Sequence, residues 1–359
     1  MKVLHIGGST AVHVIDELRF LDKRGVHQYL LSYNLENRMP EYLKKKIPTY
    51  YLFDFKKEFG PGHVKPGKQK KLMVFAKRIM NKIRPDIIHV HCPSYCAVAA
   101  LLCYRMRKTP MLITLWGVPD ISINSVNKKR IKKLTECCTY MNAKNVNFLR
   151  YFCKFYGMKR GKGIISGYPI RLSGYVGHVP DYSLPRVYIP RSYFQDMIVY
   201  AIRDVLKAGR DFRVTLHVPS KTRNKILSLI HKLGIEDKFD YVYKMLPQEA
   251  FIENMKKHNI LISISSDPGT SATTVQGAFS GMIVLSHHSP YSHGILDDNV
   301  NVIKCAKTVK SISKKLRYAI DNLGVLGPKF HKNNKKLIKF DAECSIDAIM
   351  NTYKKMVGG

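Results

Sequence analysis

Residues Ile260 to His288, ILISISSDPGTSATTVQGAFSGMIVLSHH, decide how the chain folds. The run divides into a buried strand (260–265), a turn of small and hydroxylated residues (266–271), a helix from about Ala272 to Phe279, a glycine stop at Gly281 and a second strand (282–286). Strand, loop, helix and strand in that order make one α/β unit. The loop lies at the strand's carboxyl end, where free backbone N–H groups and the positive end of the helix dipole face the crevice in which open parallel sheets bind ligands. Asp267, Gly269, Thr270 and Ser271 occupy that point, which predicts an anionic, phosphorylated ligand. The plainer role for hydroxyls ahead of a helix is to cap it.

Composition sets the frame. The 359 residues suffice for two domains, and the hydrophobic share of 45% supports a packed core in each. No uncharged apolar run is long enough to span a bilayer, and Met1-Lys2 leads straight into a strand (Val3 to Ile6), so a cytosolic protein is expected. The cysteines show no framework spacing and sit mostly in apolar runs, which fits reduced thiols and no disulfide. The net charge of +34, from 60 Lys and Arg against 26 Asp and Glu, implies a polyanionic partner. No helix-turn-helix, zinc-finger, RNP or KH signature accompanies it, so an anionic membrane surface is expected ahead of nucleic acid.

Outward from the deciding stretch, the N-terminus reads as strand, a Gly7-Gly8-Ser9-Thr10 loop, a helix from Val12 to Arg24 stopped by Gly25, and a strand from Gln28 to Tyr33. GGST is not G-x-G-x-x-G, and no acid ends the second strand, which disfavours a nicotinamide dehydrogenase. Lys56 to Arg84 is strongly basic. Its second part places Leu72, Phe75, Ala76, Ile79, Met80 and Ile83 at helical spacing, a stripe expected to pack on the sheet with its basic flank turned to the membrane. PDIIHVHCPS (85–94) is a buried strand on which His89 and His91 face one way. With Cys92 and Cys96 they suggest a zinc set, but two ligands on one strand with no second paired motif is thin, and no metal is expected. PMLITLWGVPD (110–120) is a strand running into a turn, with Trp116, the single tryptophan, at its end. The basic run KKRIKK (128–133) follows, then a helix over 143–155, a strand within GIISGYPI (163–170), and a Gly-, Pro- and Tyr-rich linker (171–186).

GTSATTVQGAFSGMIVLS (269–286) resembles the donor-binding signature of GT-B glycosyltransferases of the family 4 type, in which a D-G-T-S-type loop precedes a helix reading L-E-A-M-A-x-G. Val275 to Gly281 stand at the helix positions. PMLITLWGVPD is similar to the family's T-L-W-G-S-D segment, with Asp120 one residue late. RVYIPRSYFQDM (186–197) resembles its strand–G-R-L-x-x-x-K-G segment, with Arg191 at the arginine. The family lysine is replaced in the neighbourhood of Gln195, Asp196 and Met197, and its glutamate by Gln276. The resemblance implies two Rossmann-like domains facing across a cleft: 1–183, completed by a helix within 340–359 that crosses back, and 184–339. It also implies a retaining transfer from a nucleotide-sugar to a glycan or lipid-linked acceptor, with no cofactor and no metal in the chemistry. In these terms Arg191, Thr270 and Ser271 hold the diphosphate, with Lys221 or Arg223 as substitute cation. Asp267 and Gly269 hold the sugar and Gln276 the ribose, with the Met245 backbone near the base. Gly7, Gly8 and Ser9 form the loop across the cleft, and His91, Trp116 and Asp120 border the acceptor. A GT-B scaffold without activity is the alternative that Gln276 and the missing lysine keep open.

Overall fold

The computed structural model describes residues 1–33, 39–52, 66–91, 93–116, 125–143, 145–157, 160–167, 170–190, 194–218, 222–244, 246–265, 271–288 and 295–358. They form two compact units, Met1–Pro169 with Ala342–Gly359, and Ile170–Asp341. The first holds β1 (Lys2–Gly7), α1 (Val12–Lys23), β2 (His27–Ser32), α2 (Glu41–Lys46), β3 (Thr49–Tyr51), α3 (Pro66–Ile83), β4 (Ile87–His91), α4 (Pro93–Arg107), β5 (Met111–Leu115), α5 (Ser125–Cys137), β6 (Tyr140–Ala143), α6 (Val146–Tyr156) and β7 (Gly163–Ile165). Its sheet has the order β3-β2-β1-β4-β5-β6-β7, and every pairing is parallel. Parallel neighbours need a crossover, and helices supply it here. All residues of β4 and β5 are buried, as their continuous apolar text requires.

The second unit holds β8 (Arg186–Ile189), α7 (Gln195–Lys207), β9 (Arg213–His217), α8 (Arg223–Lys232), β10 (Phe239–Val242), α9 (Gln248–Lys256), β11 (Ile260–Ser263), α10 (Ala272–Phe279), β12 (Ile283–His287), β13 (Ile303–Cys305), α11 (Val309–Asp321) and α12 (Leu323–Asn334). Its sheet runs β10-β9-β8-β11-β12-β13, again parallel. The closing helix α13 (Ala342–Val357) belongs to the first unit, where Ala342, Ile346, Ile349, Tyr353 and Met356 join Val3, Phe20, Leu21, Ile87 and Leu112 in one core.

Three expectations change. Ala143 does not start a helix; it ends β6, pairing with Leu115 of β5, and α6 begins only at Val146, where Asn145 Oδ1 accepts the Phe148 N–H at 2.8 Å. The division falls at Pro169/Ile170 and Asp341/Ala342 instead of 183/184 and 339/340, because the stretch read as linker packs on the second unit. There the Tyr175 hydroxyl donates to Met255 Sδ at 3.2 Å, and the Tyr182 hydroxyl to the Gly281 carbonyl at 2.6 Å. Helix α12 was not expected at all, since LGVLGPKFHKNN carries two glycines and a proline. It is held by buried Leu323, Leu326 and Phe330, and Gly327 leaves the space that the Tyr182 ring fills. The stripe of α3 packs on protein, with Leu72, Ala76, Ile79, Met80 and Ile83 buried. Met73, Val74, Lys77, Arg78, Lys82 and Arg84 stay exposed. No described helix is long and apolar enough to cross a membrane.

Candidate functional site

In the second unit, β11 ends at Ser263, whose hydroxyl lies 2.7 Å from Thr274 Oγ1; that oxygen is in turn 2.7 Å from Ser271 Oγ. Ser271 is the N-cap of α10, its Oγ accepting the Thr274 N–H at 3.1 Å. The three hydroxyls thus tie strand end, cap and first helical turn into one chain, and they hold the helix N-terminus at the carboxyl end of the sheet. Such an N-terminus favours an anion. Gly277 allows the helix to lie close on β11, since a Cβ there would come within 2.3 Å of Leu261 Cδ2. Gln276, expected at the ribose, is 5% exposed on the same helix. Asp196, which stands where a phosphate-binding lysine was expected, is paired with Lys225, and that contact lowers its pKa and offsets its charge. Arg191, Lys221, Met245, Asp267, Gly269 and Thr270 lie outside the described residues, as does Asp120.

The carboxyl end of β9 presents His217, whose carbonyl accepts Gln195 Nε2 at 2.6 Å and whose Nε2 meets the Tyr188 hydroxyl at 2.6 Å. The Tyr188 ring stacks on His258, centroids 4.8 Å apart. Nδ1–H of His258 donates to the Asn254 carbonyl at 2.7 Å, leaving Nε2 to accept from Thr215 at 2.8 Å. Burial lowers both histidines to about 4. Their folded pKa lies below the free value of 6.5, so the unfolded chain binds more protons as pH falls, and stability is lost between about pH 6.5 and 4. We expect the denaturant stability of this unit to drop by roughly 2–3 kcal/mol through His258 between about pH 7 and 4.5. His258→Gln should flatten the drop; an unchanged profile in that variant would refute the assignment.

In the first unit, Gly7 ends β1 against His91, where a Cβ would sit 3.2 Å from His91 Cβ, and a Cβ on Gly8 would sit 2.6 Å from the Tyr33 hydroxyl. Ser9 is fully buried, its Oγ 2.8 Å from Ser32 Oγ. His91 and Trp116 do come together: Trp116 Nε1 donates to His91 Nδ1 at 3.4 Å. Both are buried, and the His13 ring lies on Trp116 with centroids 4.4 Å apart. Beneath them His5, Glu17, His89 and His91 cluster in the core. His89 Nε2 is 2.6 Å from Thr114 Oγ1, and its Nδ1 is 2.6 Å from the Tyr353 hydroxyl. Burial pushes Glu17 up to about 8 and His5 down to about 3, and it lowers His89 and His91 as well. His5 and Glu17 escaped notice in the sequence, because one histidine on a strand and one glutamate on a helix show no spacing that joins them. The period-two pair His89 and His91 was the visible half.

Residues 2–149 match a family model described as glycosyl transferase 4-like. No curated protein matches the chain by sequence. Among solved structures, a glycosyltransferase from Rickettsia africae ESF-5 is similar with a TM-score of 0.79 at 15% identity, over 99% of this chain and 98% of that one. The Anabaena protein HepE in complex with UDP is similar with a TM-score of 0.74 at 12% identity, over 99% and 100%. A UDP-GlcNAc 2-epimerase from Neisseria meningitidis bound to UDP-GlcNAc has a TM-score of 0.69 at 13% identity, over 99% and 100%. The two parallel sheets are the Rossmann-like halves that these proteins share. Residues 2–149 thus resemble the glycosyl transferase 4-like domain, and the chain as a whole has the GT-B fold of two Rossmann-like halves.

Proposed function

We propose that the chain moves a sugar from a nucleotide-sugar, with retention at the anomeric carbon, to a glycan or lipid-linked acceptor in surface polysaccharide or glycoconjugate synthesis. The observation that carries the proposal is the hydroxyl-capped N-terminus of α10 at the carboxyl end of β11. UDP is the first nucleotide to test, because similar structures were solved with UDP or a UDP-sugar. In this reading Arg191, Thr270 and Ser271 hold the diphosphate, Lys221 adds positive charge, Asp267 and Gly269 meet the sugar, Gln276 the ribose and the Met245 backbone the base. Gly7, Gly8 and Ser9 complete the donor's surroundings, and His91, Trp116 and Asp120 border the acceptor. The leaving diphosphate takes the acceptor proton, so the protein contributes positioning and charge stabilisation, and needs no metal for the transfer.

A thermal-shift series with UDP- and GDP-sugars tests the donor, since a ligand of the folded state raises Tm. Arg191→Ala should weaken donor binding by about 2 kcal/mol, the loss of a charge-assisted contact. Gln276→Glu should tighten binding, because a carboxylate makes charge-assisted hydrogen bonds to the ribose diol; equal affinity of the two forms counts against the ribose role. Donor binding without any turnover would favour a scaffold role, to which Gln276 and the replaced lysine also point.

The exposed basic face of α3, together with Lys128, Lys129, Lys132 and Lys133 of α5, supports a peripheral place on the inner face of the cell membrane. Each cation near an anionic bilayer contributes about 1 kcal/mol, and the attraction is screened as the Debye length falls from about 10 Å at 0.1 M salt to about 3 Å at 1 M. Co-sedimentation with anionic vesicles should therefore be strong at low salt and lost at high salt. Capture by duplex DNA in preference to vesicles would sink this assignment.

A further inference from the structure

Three imidazoles and a carboxylate meet in the core of the first unit, and the transfer chemistry uses none of their mutual contacts. His5, Glu17, His89 and His91 are fully buried, and their side-chain donor atoms all lie within 4.8 Å of one another. β1 and β4 are adjacent, with His5 and His89 as register partners; His91 follows two residues on, and α1 brings Glu17 to the group. His5 Nδ1 is 3.1 Å from His91 Nε2, and Glu17 Oε1 is 3.2 Å from His89 Nδ1 and 3.9 Å from His91 Nε2. Despite that proximity neither Glu17 oxygen has a hydrogen bond of acceptable geometry, nor has His5 Nε2. A buried carboxylate without donors is costly, and a cation among the four groups removes the cost.

We propose that the first unit binds one divalent transition-metal ion of the zinc class through His5 Nδ1, the Glu17 carboxylate, His89 Nδ1 and His91 Nε2. Four ligands at zinc–nitrogen and zinc–oxygen bond lengths stand about 3.3 Å apart in a tetrahedron, and the three separations bracket that value. Imidazole nitrogens select this class over magnesium or calcium, which prefer oxygen. Thr114 Oγ1 is placed to accept the Nε2–H of His89, which turns the Nδ1 lone pair inward. Two contacts give way on loading. The Tyr353 hydroxyl, 2.6 Å from His89 Nδ1, releases that nitrogen, and Trp116 Nε1, at 3.4 Å from His91 Nδ1, releases a ring whose proton moves to Nδ1. With all four ligands buried the ion's role is structural: it pins α1 to the two strands.

The competing state of these groups is metal-free, with a proton on Glu17 and three neutral imidazoles. Metal content of the full chain after native dialysis against EDTA separates the two. We expect about one zinc per chain, retained by the folded protein and released on unfolding. Wild type refolded with zinc chloride should melt higher than wild type refolded with EDTA, and Glu17→Gln should lose both the metal and that difference. Should Glu17→Gln not fold, refolding the wild type with cobalt(II) decides, because a four-coordinate nitrogen–oxygen site gives intense visible absorption. No retained metal and a zinc-independent Tm would overturn the proposal and assign the cluster to the shared proton. Zinc stripped by native dialysis with no change in Tm is adventitious binding at other histidines and overturns it equally.

Discussion

Deleting residues 342–359 is expected to abolish the cooperative unfolding transition of the first unit while the second keeps its own. The deletion takes Ala342, Ile346, Ile349, Tyr353 and Met356 out of a core they share with Val3, Phe20, Leu21, Val26, Ile87 and Leu112. Each large buried aliphatic cut back to Ala costs about 2–5 kcal/mol, and whole domains are stable by only about 5–15 kcal/mol. Removing the helix therefore exceeds what the unit can lose. The ion pairs at its start do not decide the matter: Arg24 meets Glu343 at 2.9 Å and Asp347 at 2.8 Å, but the three side chains are 40%, 50% and 59% exposed. Such pairs contribute below about 1 kcal/mol. Arg24→Ala should accordingly change little, whereas Ile349→Ala alone should cost about 2–4 kcal/mol. Calorimetry of the 1–341 chain checks this, and two intact transitions there would show that α13 is an accessory.

How much of this was legible depended on periodicity. The unit from 260 to 288 was readable because an apolar run, a hydroxylated turn and a glycine stop follow each other within thirty residues; the helix runs from Ala272 to Phe279 as read, and the strands differ by a residue or two at their ends. The α3 stripe was readable for the same reason. What failed was text whose local preference is overruled from a distance. Ala143 reads as a helix former, yet β5 offers an open edge and takes it into β6. Helix α12 carries Gly324, Gly327 and Pro328, and exists because Leu326 and Phe330 are buried in the second core. At the sites, the cap at Ser271 was legible from its place before a helix, but the hydroxyl chain through Thr274 to Ser263 spans a loop closure that no spacing shows. Glu17 is the clearest case. On α1 it stands between Asp16 and Leu18, both buried like itself, and only the fold brings it to His89.

Gly281→Ala is expected to be among the most damaging single substitutions in the second unit. Read first as a helix stop, Gly281 has φ +93, a conformation that side-chain-bearing residues rarely adopt. A left-handed non-glycine residue costs about 1–3 kcal/mol. Space adds to strain here: a Cβ would lie 2.5 Å from His331 Nδ1 and 2.7 Å from Pro180 Cδ. Neither neighbour is the loose end of a flexible chain, since proline is a closed ring and the His331 ring is set on α12. The Gly281 carbonyl is also held by the Tyr182 hydroxyl at 2.6 Å, so the backbone cannot turn away without losing that bond. Overpacking of this kind costs a further 1–3 kcal/mol or so, for a total of about 2–6 kcal/mol. Gly234 supplies the control: it lies in the same unit with φ +64 and nothing within 4 Å of its would-be Cβ. Gly234→Ala therefore carries the strain alone, about 1 kcal/mol. Urea unfolding of the two variants beside wild type measures the difference. Equal losses would mean that His331 and Pro180 yield freely and that only the dihedral matters at Gly281.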